Sequence, residues 1–221
     1  MNMPTRRILY GLLLGLLAVA AMAVVLEISG QRQRAPVVTG EALVGGPFML
    51  VDPAGAAVSE ADFAGRYMLI YFGYTNCPDV CPLALQKMSM ALDMLSAEGI
   101  DLAPLQPIFI TVDPARDDPA VMGDYVGAFH PSLIGLTGSA EAIEAVAAAY
   151  RVYSGRTDAS GEAGVDDMAN MGDMAEMEDG GYLMNHSSVI YLMGPDGRYV
   201  SHFNAVATPA DIAARLRPLL D

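Results

Sequence analysis

Cys77 and Cys81 are the only cysteines of the chain, and both lie in the run Tyr71-Phe72-Gly73-Tyr74-Thr75-Asn76-Cys77-Pro78-Asp79-Val80-Cys81-Pro82. A mostly apolar stretch from Tyr67 to Phe72 leads into them, and Leu85, Met88, Leu92 and Leu95 follow at helical spacing. The pair therefore sits where a strand passes into a helix. Residues four apart on a helical turn hold their Cβ atoms about 5–6 Å apart on one face. Two thiolates so placed converge on one soft metal ion, or close into a disulfide after a small backbone adjustment. A helix N-terminus is expected to favour the thiolate by lowering the cysteine pKa. The chemistry expected is that of a metal clip or of a redox switch. The inert alternatives are two small residues packed on a sheet, or a disulfide that staples the turn.

The 221 residues provide one domain of about 150–170 residues plus extras, and 53% hydrophobic against 17% charged residues is enough for a packed core. A net charge of −14 argues against nucleic-acid binding, which needs a basic face, and suits cation capture or a basic partner. Ile8 to Leu26 are nineteen residues without a charge, preceded by Arg6 and Arg7. At about 1.5 Å per residue such a run just crosses a hydrocarbon layer of about 30 Å. Residues 1–7 are then cytoplasmic, 8–28 form a single-pass inner-membrane anchor, and 29–44 a linker. Residues 45–221 are the exported domain, on the periplasmic or intermembrane-space side. Ala21-Met22-Ala23 leaves a cleaved signal peptide as the alternative, although the run exceeds the usual core of about 7–15 residues. On either reading the domain lies where an unassisted dithiol oxidises.

The elements that must position the cysteines alternate in type. Phe48 to Val51 and Ala57-Val58, around Pro53-Ala54-Gly55, read as a hairpin. Tyr67 to Phe72, Pro107 to Val112 and Leu133 to Leu136 read as buried strands. Leu83 to Glu98, Asp118 to Phe129 and Ser139 to Tyr150 read as helices, with Asp117 or Asp118 capping the second. Val189 to Met193 and Tyr199 to Phe203 form an antiparallel hairpin, and Pro209 to Leu219 a closing helix capped by Thr208. The predicted fold is an α/β sandwich: a mixed central sheet flanked by helices. Thr157 to Gly180 breaks the pattern, with eight carboxylates, no Lys or Arg, and Met168, Met171, Met174 and Met177 three apart. Its composition is that of an acidic, Met-rich insertion rather than a packed element.

The cysteine segment resembles that of the SCO/SenC family of membrane-anchored copper-delivery proteins, whose fold is thioredoxin-like. The resemblance runs from about Gly45 to Leu220 and rests on several segments. They are Gly45-Gly46-Pro47-Phe48, Phe72-Gly73-Tyr74-Thr75, Cys77-Pro78-Asp79-Val80-Cys81-Pro82, and Thr111-Val112-Asp113-Pro114 with Arg116-Asp117. Gly135-Leu136-Thr137-Gly138 and His186-Ser187-Ser188 complete it. It implies copper, Cu(I) or Cu(II), held by Cys77, Cys81 and His186. Two thiolates suit Cu(I), and a neutral imidazole is a third ligand that also stabilises Cu(II). Where the family usually has Asp before this histidine, Asn185 stands, which still accepts a hydrogen bond. His130 and His202 read as loop and sheet-surface residues. Asp79 and Asp113 either orient the cysteine loop or are solvated turn carboxylates.

The implied function is a copper chaperone, not a turnover enzyme, that delivers its ion to the Cu-A centre of cytochrome c oxidase during assembly. Its partners would be the oxidase copper-site subunit and a copper donor protein. The alternative is a thiol–disulfide oxidoreductase whose redox-active dithiol, Cys77 and Cys81, reduces the cysteines of that copper site. His186 and the departure from Cys-x-x-Cys spacing favour metal. A further expectation is that Met168, Met171, Met174 and Met177 collect Cu(I) through their thioethers and pass it by Met184 to the main site. The competing reading is an acidic loop whose methionines are incidental.

Overall fold

The computed structural model describes residues 44–157, 183–186 and 188–220, with the backbone alone for 154–157 and 183–186. The predicted anchor over 8–28, the linker through residue 43, and Met168, Met171, Met174 and Met177 lie outside the described residues. Among the described residues no helix is long and apolar enough to cross a membrane.

The domain opens with the predicted hairpin, β1 (Met49–Val51) against β2 (Ala57–Ser59). The Asp52 carboxylate closes its turn by accepting from the Ala54 and Ala56 N–H groups. Gly45, just before it, has φ +101°, and a Cβ there would meet the Met193 side chain at 2.5 Å. The Gly-Gly-Pro-Phe segment is thus a close approach of backbone to core that only glycine permits. A 3-10 turn (Glu60–Phe63), absent from the sequence reading, leads to β3 (Tyr67–Gly73).

Helix α1 (Val80–Ala97) starts three residues before the predicted Leu83. Pro82 falls in its first turn, where the missing N–H has no helical partner to lose. Strand β4 (Leu105–Thr111) and helix α2 (Pro119–Val126) follow. The Asp118 side chain caps α2 by accepting from the Val121 N–H, so of the two predicted caps Asp118 is the real one. Then come β5 (Ile134–Leu136) and α3 (Ala140–Ala149), capped by Ser139. Strands β6 (Ser154–Thr157) and β7 (Leu183–His186) pair antiparallel as a separate two-stranded ribbon. Thr157, predicted as the first residue of the insertion, is the last residue of β6. Four-residue strands with no alternation of polarity leave no periodic signal, so this ribbon was not legible in the sequence. Strands β8 (Ile190–Met193) and β9 (Tyr199–Phe203) form the second hairpin, and α4 (Pro209–Leu220) ends the chain. Thr208 and Asp211 bond reciprocally across the start of α4, a capping box with Asp in the third position.

The main sheet has the order β5-β4-β3-β8-β9, with β3, β4 and β5 parallel and β8 and β9 antiparallel, the mixed central sheet expected. Its middle strand β3 is covered on both faces, which is why its apolar run is unbroken instead of alternating. Phe72 turns to one face, against Tyr150 at the end of α3 and Tyr191. Tyr71 turns to the other, stacked beside Phe109, which in turn meets Tyr125 of α2. Helix α1 lies on this second face and packs against α4. Leu85, Met88, Leu92 and Leu95 of α1 are buried, as their spacing predicts.

Leu83 and Leu85 sit on the same helix, one 48% exposed and the other fully buried. Leu85→Ala is expected to cost about 2–5 kcal/mol of stability by removing buried methyls and leaving a cavity. Leu83→Ala is expected to change stability by no more than about 0.5 kcal/mol. Urea denaturation of the two variants measures both, and equal losses would contradict the orientation of α1.

Candidate metal centre

The parallel strands β3 and β4 end side by side, with the Val112 N–H donating to the Gly73 carbonyl at 2.7 Å. Beyond Gly73 the chain turns back, and the Cys77 N–H closes the turn on the Tyr74 carbonyl at 3.3 Å. Cys77 therefore precedes the helix, and Cys81 is its second residue. The expected arrangement of both cysteines on one helical turn is corrected: a tight loop, rather than helix geometry, faces the two sulfurs to one another. Their side chains hydrogen-bond each other, and neither is in a disulfide.

Gly73 makes room for this. A Cβ on Gly73 would lie 2.8 Å from Cys81 Sγ, 2.9 Å from the Phe109 ring and 3.1 Å from the Tyr71 ring. The Cys81 sulfur thus rests on the bare backbone of the last residue of β3. The Tyr71 hydroxyl donates to Cys81 Sγ at 3.9 Å, and the Tyr74 N–H also donates to it. Cys81 is fully buried, whereas 8% of Cys77 is exposed.

Burial pushes the Cys81 thiol up to about 12; the neighbouring Cys77 adds to the rise, and the bonds from Tyr74 and Tyr71 oppose it. The expectation that the helix N-terminus would depress this pKa is overturned. The helix dipole is worth about 0.3–1 kcal/mol, up to about 2 in partly buried sites, whereas full burial shifts a pKa by as much as about 3–5 units. One unit is about 1.4 kcal/mol, so desolvation wins. In the metal-free protein Cys81 is a neutral thiol. Burial likewise holds the Tyr71 hydroxyl protonated, so it stays a donor to the sulfur.

Asp117 holds the loop. Its carboxylate, fully buried, accepts from the Thr75 N–H at 3.0 Å, the Thr75 hydroxyl at 2.5 Å and the Thr111 hydroxyl at 2.5 Å. Its carbonyl accepts from the Thr137 hydroxyl at 2.7 Å. One residue therefore joins the cysteine loop to the ends of β4 and β5. Beside it the Asp113 carboxylate pairs with Arg116, whose guanidinium lies 5.7 Å from the Tyr74 ring centre. Asp113 thereby supports the loop at one remove, while Asp79 makes no capping bond and is exposed. The sequence reading missed Asp117, Tyr71 and Gly73 in these roles. In the sequence Asp117 stands beside a helix start, a position that signals only a cap.

His186 is the last residue of β7, its backbone paired with Ser154. Four residues on, Ile190 pairs with Tyr71, and Ser188 hydrogen-bonds the Tyr71 side chain. Because β8 runs antiparallel to β3, the segment before Ile190 continues past the end of β3 that bears the cysteine loop. Met184 also lies on β7. His130 sits in a loop with Nδ1 2.7 Å from the Ser132 hydroxyl, and His202 is exposed on β9 beside Tyr199, as expected of both. The Tyr125 hydroxyl is buried with no hydrogen-bond partner among the described residues. Burial raises its pKa above the ordinary phenol value. Among the described residues no group of three His, Cys, Asp or Glu side chains gathers on a common point. The soft donors Cys77 and Cys81, facing one another and nearly dry, fit a thiophilic ion such as Cu(I).

Residues 37–221 match the family described as SCO1/SenC. The mitochondrial SCO2 homolog of Bos taurus is 41% identical over 187 residues, which cover 85% of this chain and 64% of that protein. The match thus spans slightly less than two thirds of that relative's length. The structure of Bradyrhizobium japonicum ScoI with copper bound is similar at 40% identity and a TM-score of 0.64, covering 79% of this chain and 98% of that one. BsSco, a Sco family member of the cytochrome c oxidase assembly proteins in which a disulfide switch was identified, has 26% identity and a TM-score of 0.55. That match covers 79% of this chain and 92% of BsSco. The thioredoxin-like fold expected from the sequence agrees with these neighbours.

Two consequences follow from this geometry. Asp117→Ala strands the Thr75 and Thr111 donors in a buried site and is expected to cost about 3 kcal/mol or more, with Asp117→Asn recovering part of it. Denaturation curves of the two variants test this, and an Ala variant as stable as wild type would refute the clamp. In the reduced, metal-free protein at pH 8, iodoacetamide should label Cys77 well before Cys81, because Cys77 is the more accessible and burial keeps Cys81 protonated. Peptide mapping at timed intervals reads the order.

Proposed function

This chain belongs to the SCO1/SenC family, and on that premise we propose that it is a membrane-anchored copper chaperone for cytochrome c oxidase assembly. The observation that carries the reading is the pair of hydrogen-bonded free thiols, with Cys81 packed over Gly73, in a chain that resembles ScoI solved with copper bound. Copper is the cargo. Cys77 and Cys81 hold it as thiolates, their protons leaving as the ion binds, and His186 is the third ligand. Metal replaces the proton on Cys81, which is how a thiol held neutral by burial still becomes a ligand. Cys77, the more exposed thiol, is the first to exchange for a thiolate of the receiving protein, and the ion passes without turnover. Residues 8–28 anchor the chain with the domain on the exported side, facing the oxidase copper-site subunit and a copper donor protein. No nucleic acid is involved at a net charge of −14.

A second reading is favoured by the same two neighbouring thiols and by the disulfide switch of BsSco. Here Cys77 thiolate attacks a disulfide of the oxidase copper site, forming a mixed disulfide, and Cys81 resolves it. The partner gains two electrons and two protons as a dithiol, and this chain ends as the Cys77–Cys81 disulfide. Met168, Met171, Met174 and Met177 are proposed as a weaker Cu(I) collector feeding the main site.

Anaerobic Cu(I) titration against a competing chelator should give one tightly held ion in the chain reduced beforehand. Cys77→Ser, Cys81→Ser and His186→Ala should each abolish or sharply weaken that binding, with His186→Ala more damaging to Cu(II). Unchanged stoichiometry and affinity in His186→Ala would remove the histidine and favour the reductase reading. In the same titration, a chain lacking Met168–Met177 should load more slowly, and an identical loading rate would make the insertion only a loop.

A further inference from the structure

Helix α1 is apolar on two faces. Leu85, Met88, Leu92 and Leu95 face the core, yet Val80, Leu83, Met90 and Met94 are 46%, 48%, 50% and 38% exposed. At 100° per residue these four outer positions, with Lys87 between them, fall within about 80° of arc. They form one continuous stripe that starts next to Cys81 and runs toward the far end of the helix. Scattered surface apolar residues are ordinary, but a contiguous stripe marks a contact surface.

The surroundings of the stripe show what it fits. Along one side lies a groove of about 670 Å³ whose lining includes Asp79, Leu83, Met90, Asp93, Phe129 and His130, the last with its ring 3.8 Å from the Asp93 carboxylate, and no Lys or Arg. Along the other lies a small cleft that joins Val80, Leu83 and Lys87 to Tyr71 and Ser188, the residues that touch the cysteine site. The Lys87 ammonium is turned onto the Ala205 carbonyl at 2.6 Å, away from that acidic groove. Val206, 83% exposed, follows in the same loop. The surface is thus an apolar ridge with an acidic groove beside it, continuous with the cysteine loop. A second copy of this chain does not suit it, because each copy brings its own net charge of −14.

We propose that this stripe is the docking surface for the protein that receives copper from this chain. That partner presents an apolar centre rimmed by Lys and Arg. The proposal rests on the chaperone reading for the identity of the partner, and on exposure and charge for the surface itself. Docking there sets the partner's own sulfur ligands beside Cys77, the more accessible thiol, so that ligand exchange begins within the contact. The basic rim over Asp79 and Asp93 steers the encounter and sets its orientation.

The test uses the full chain in detergent, with the soluble domain of the oxidase copper-site subunit from the same organism as probe. Association is measured by isothermal calorimetry on the copper-free chain, and copper transfer is timed on the loaded one. Leu83→Asp with Met90→Asp places charge in the centre of the stripe, while Val121→Asp, an exposed apolar site on α2, serves as control. The double variant should weaken association at least about tenfold, the size of a lost contact centre. It should slow transfer in proportion and leave chelator-measured Cu(I) affinity within twofold of wild type. Wild-type association should also fall as salt rises from 50 to 500 mM. Undiminished association in the double variant, a comparable loss in Val121→Asp, or salt-independent binding each overturn the docking surface. So does a wild-type chain that does not bind the probe. Binding that is stripe-dependent and salt-sensitive but passes no copper upholds the surface and defeats the chaperone reading instead.

Discussion

The fully buried carboxylate of Asp117 is bonded to Thr75 in the cysteine loop and to Thr111 at the end of β4, and its carbonyl reaches Thr137 beyond β5. A carboxylate taken out of water is costly unless its lone pairs are satisfied, so the residue is tolerated only with these donors in place. The requirement is mutual. The loop after β3 has no regular structure of its own, and without this anchor the short bonds at Thr75 would have nowhere to go. The position of Cys77, two residues on from Thr75, is thereby set by the ends of two neighbouring strands.

From that anchor the rest of the site follows by close packing. The turn that Asp117 holds brings the helix start over Gly73, and the missing Cβ lets the Cys81 sulfur settle against the β3 backbone, in a space the Phe109 and Tyr71 rings also border. This depth has a chemical effect opposite to that of the helix terminus on which Cys81 stands. Dryness holds the thiol protonated, and a soft cation that forms bonds to sulfur replaces the proton where a small dipole does not. Cys77 stays at the rim. The two cysteines are therefore unequal in access, a polarity that suits both ligand exchange and thiol–disulfide exchange.

The sheet order brings the later part of the chain to the same place. Strands β3 and β4 are parallel, so their C-terminal ends and the loops that follow share one edge of the sheet. β8 enters antiparallel from that edge, with Ile190 opposite Tyr71. Ser188 reaches the Tyr71 hydroxyl, which in turn bonds Cys81. A residue more than a hundred positions after the cysteines in sequence is two hydrogen bonds from one of them. The β6–β7 ribbon, ending at His186, leads directly into this segment.

Much of this was readable in the chain itself. Periodicity and turn residues located the strands and helices of the main sheet, because burial on one or two faces imposes a repeat on residue type. The two cysteines between prolines announced soft-ligand or redox chemistry, and the family-like motifs marked the loops around them. What the sequence did not contain was the set of distances across the fold. The protonation of Cys81 depends on how much water its surroundings exclude, and that is a property of Phe109, Tyr71 and Gly73 together. Asp117 looks like any acidic residue before a helix, and only the burial of its side chain separates it from the true cap Asp118. The β6–β7 ribbon is held by backbone hydrogen bonds between remote segments, which any side chains satisfy. Residue type is local and written in order along the chain, whereas desolvation and long-range hydrogen bonding exist only once the chain has closed on itself.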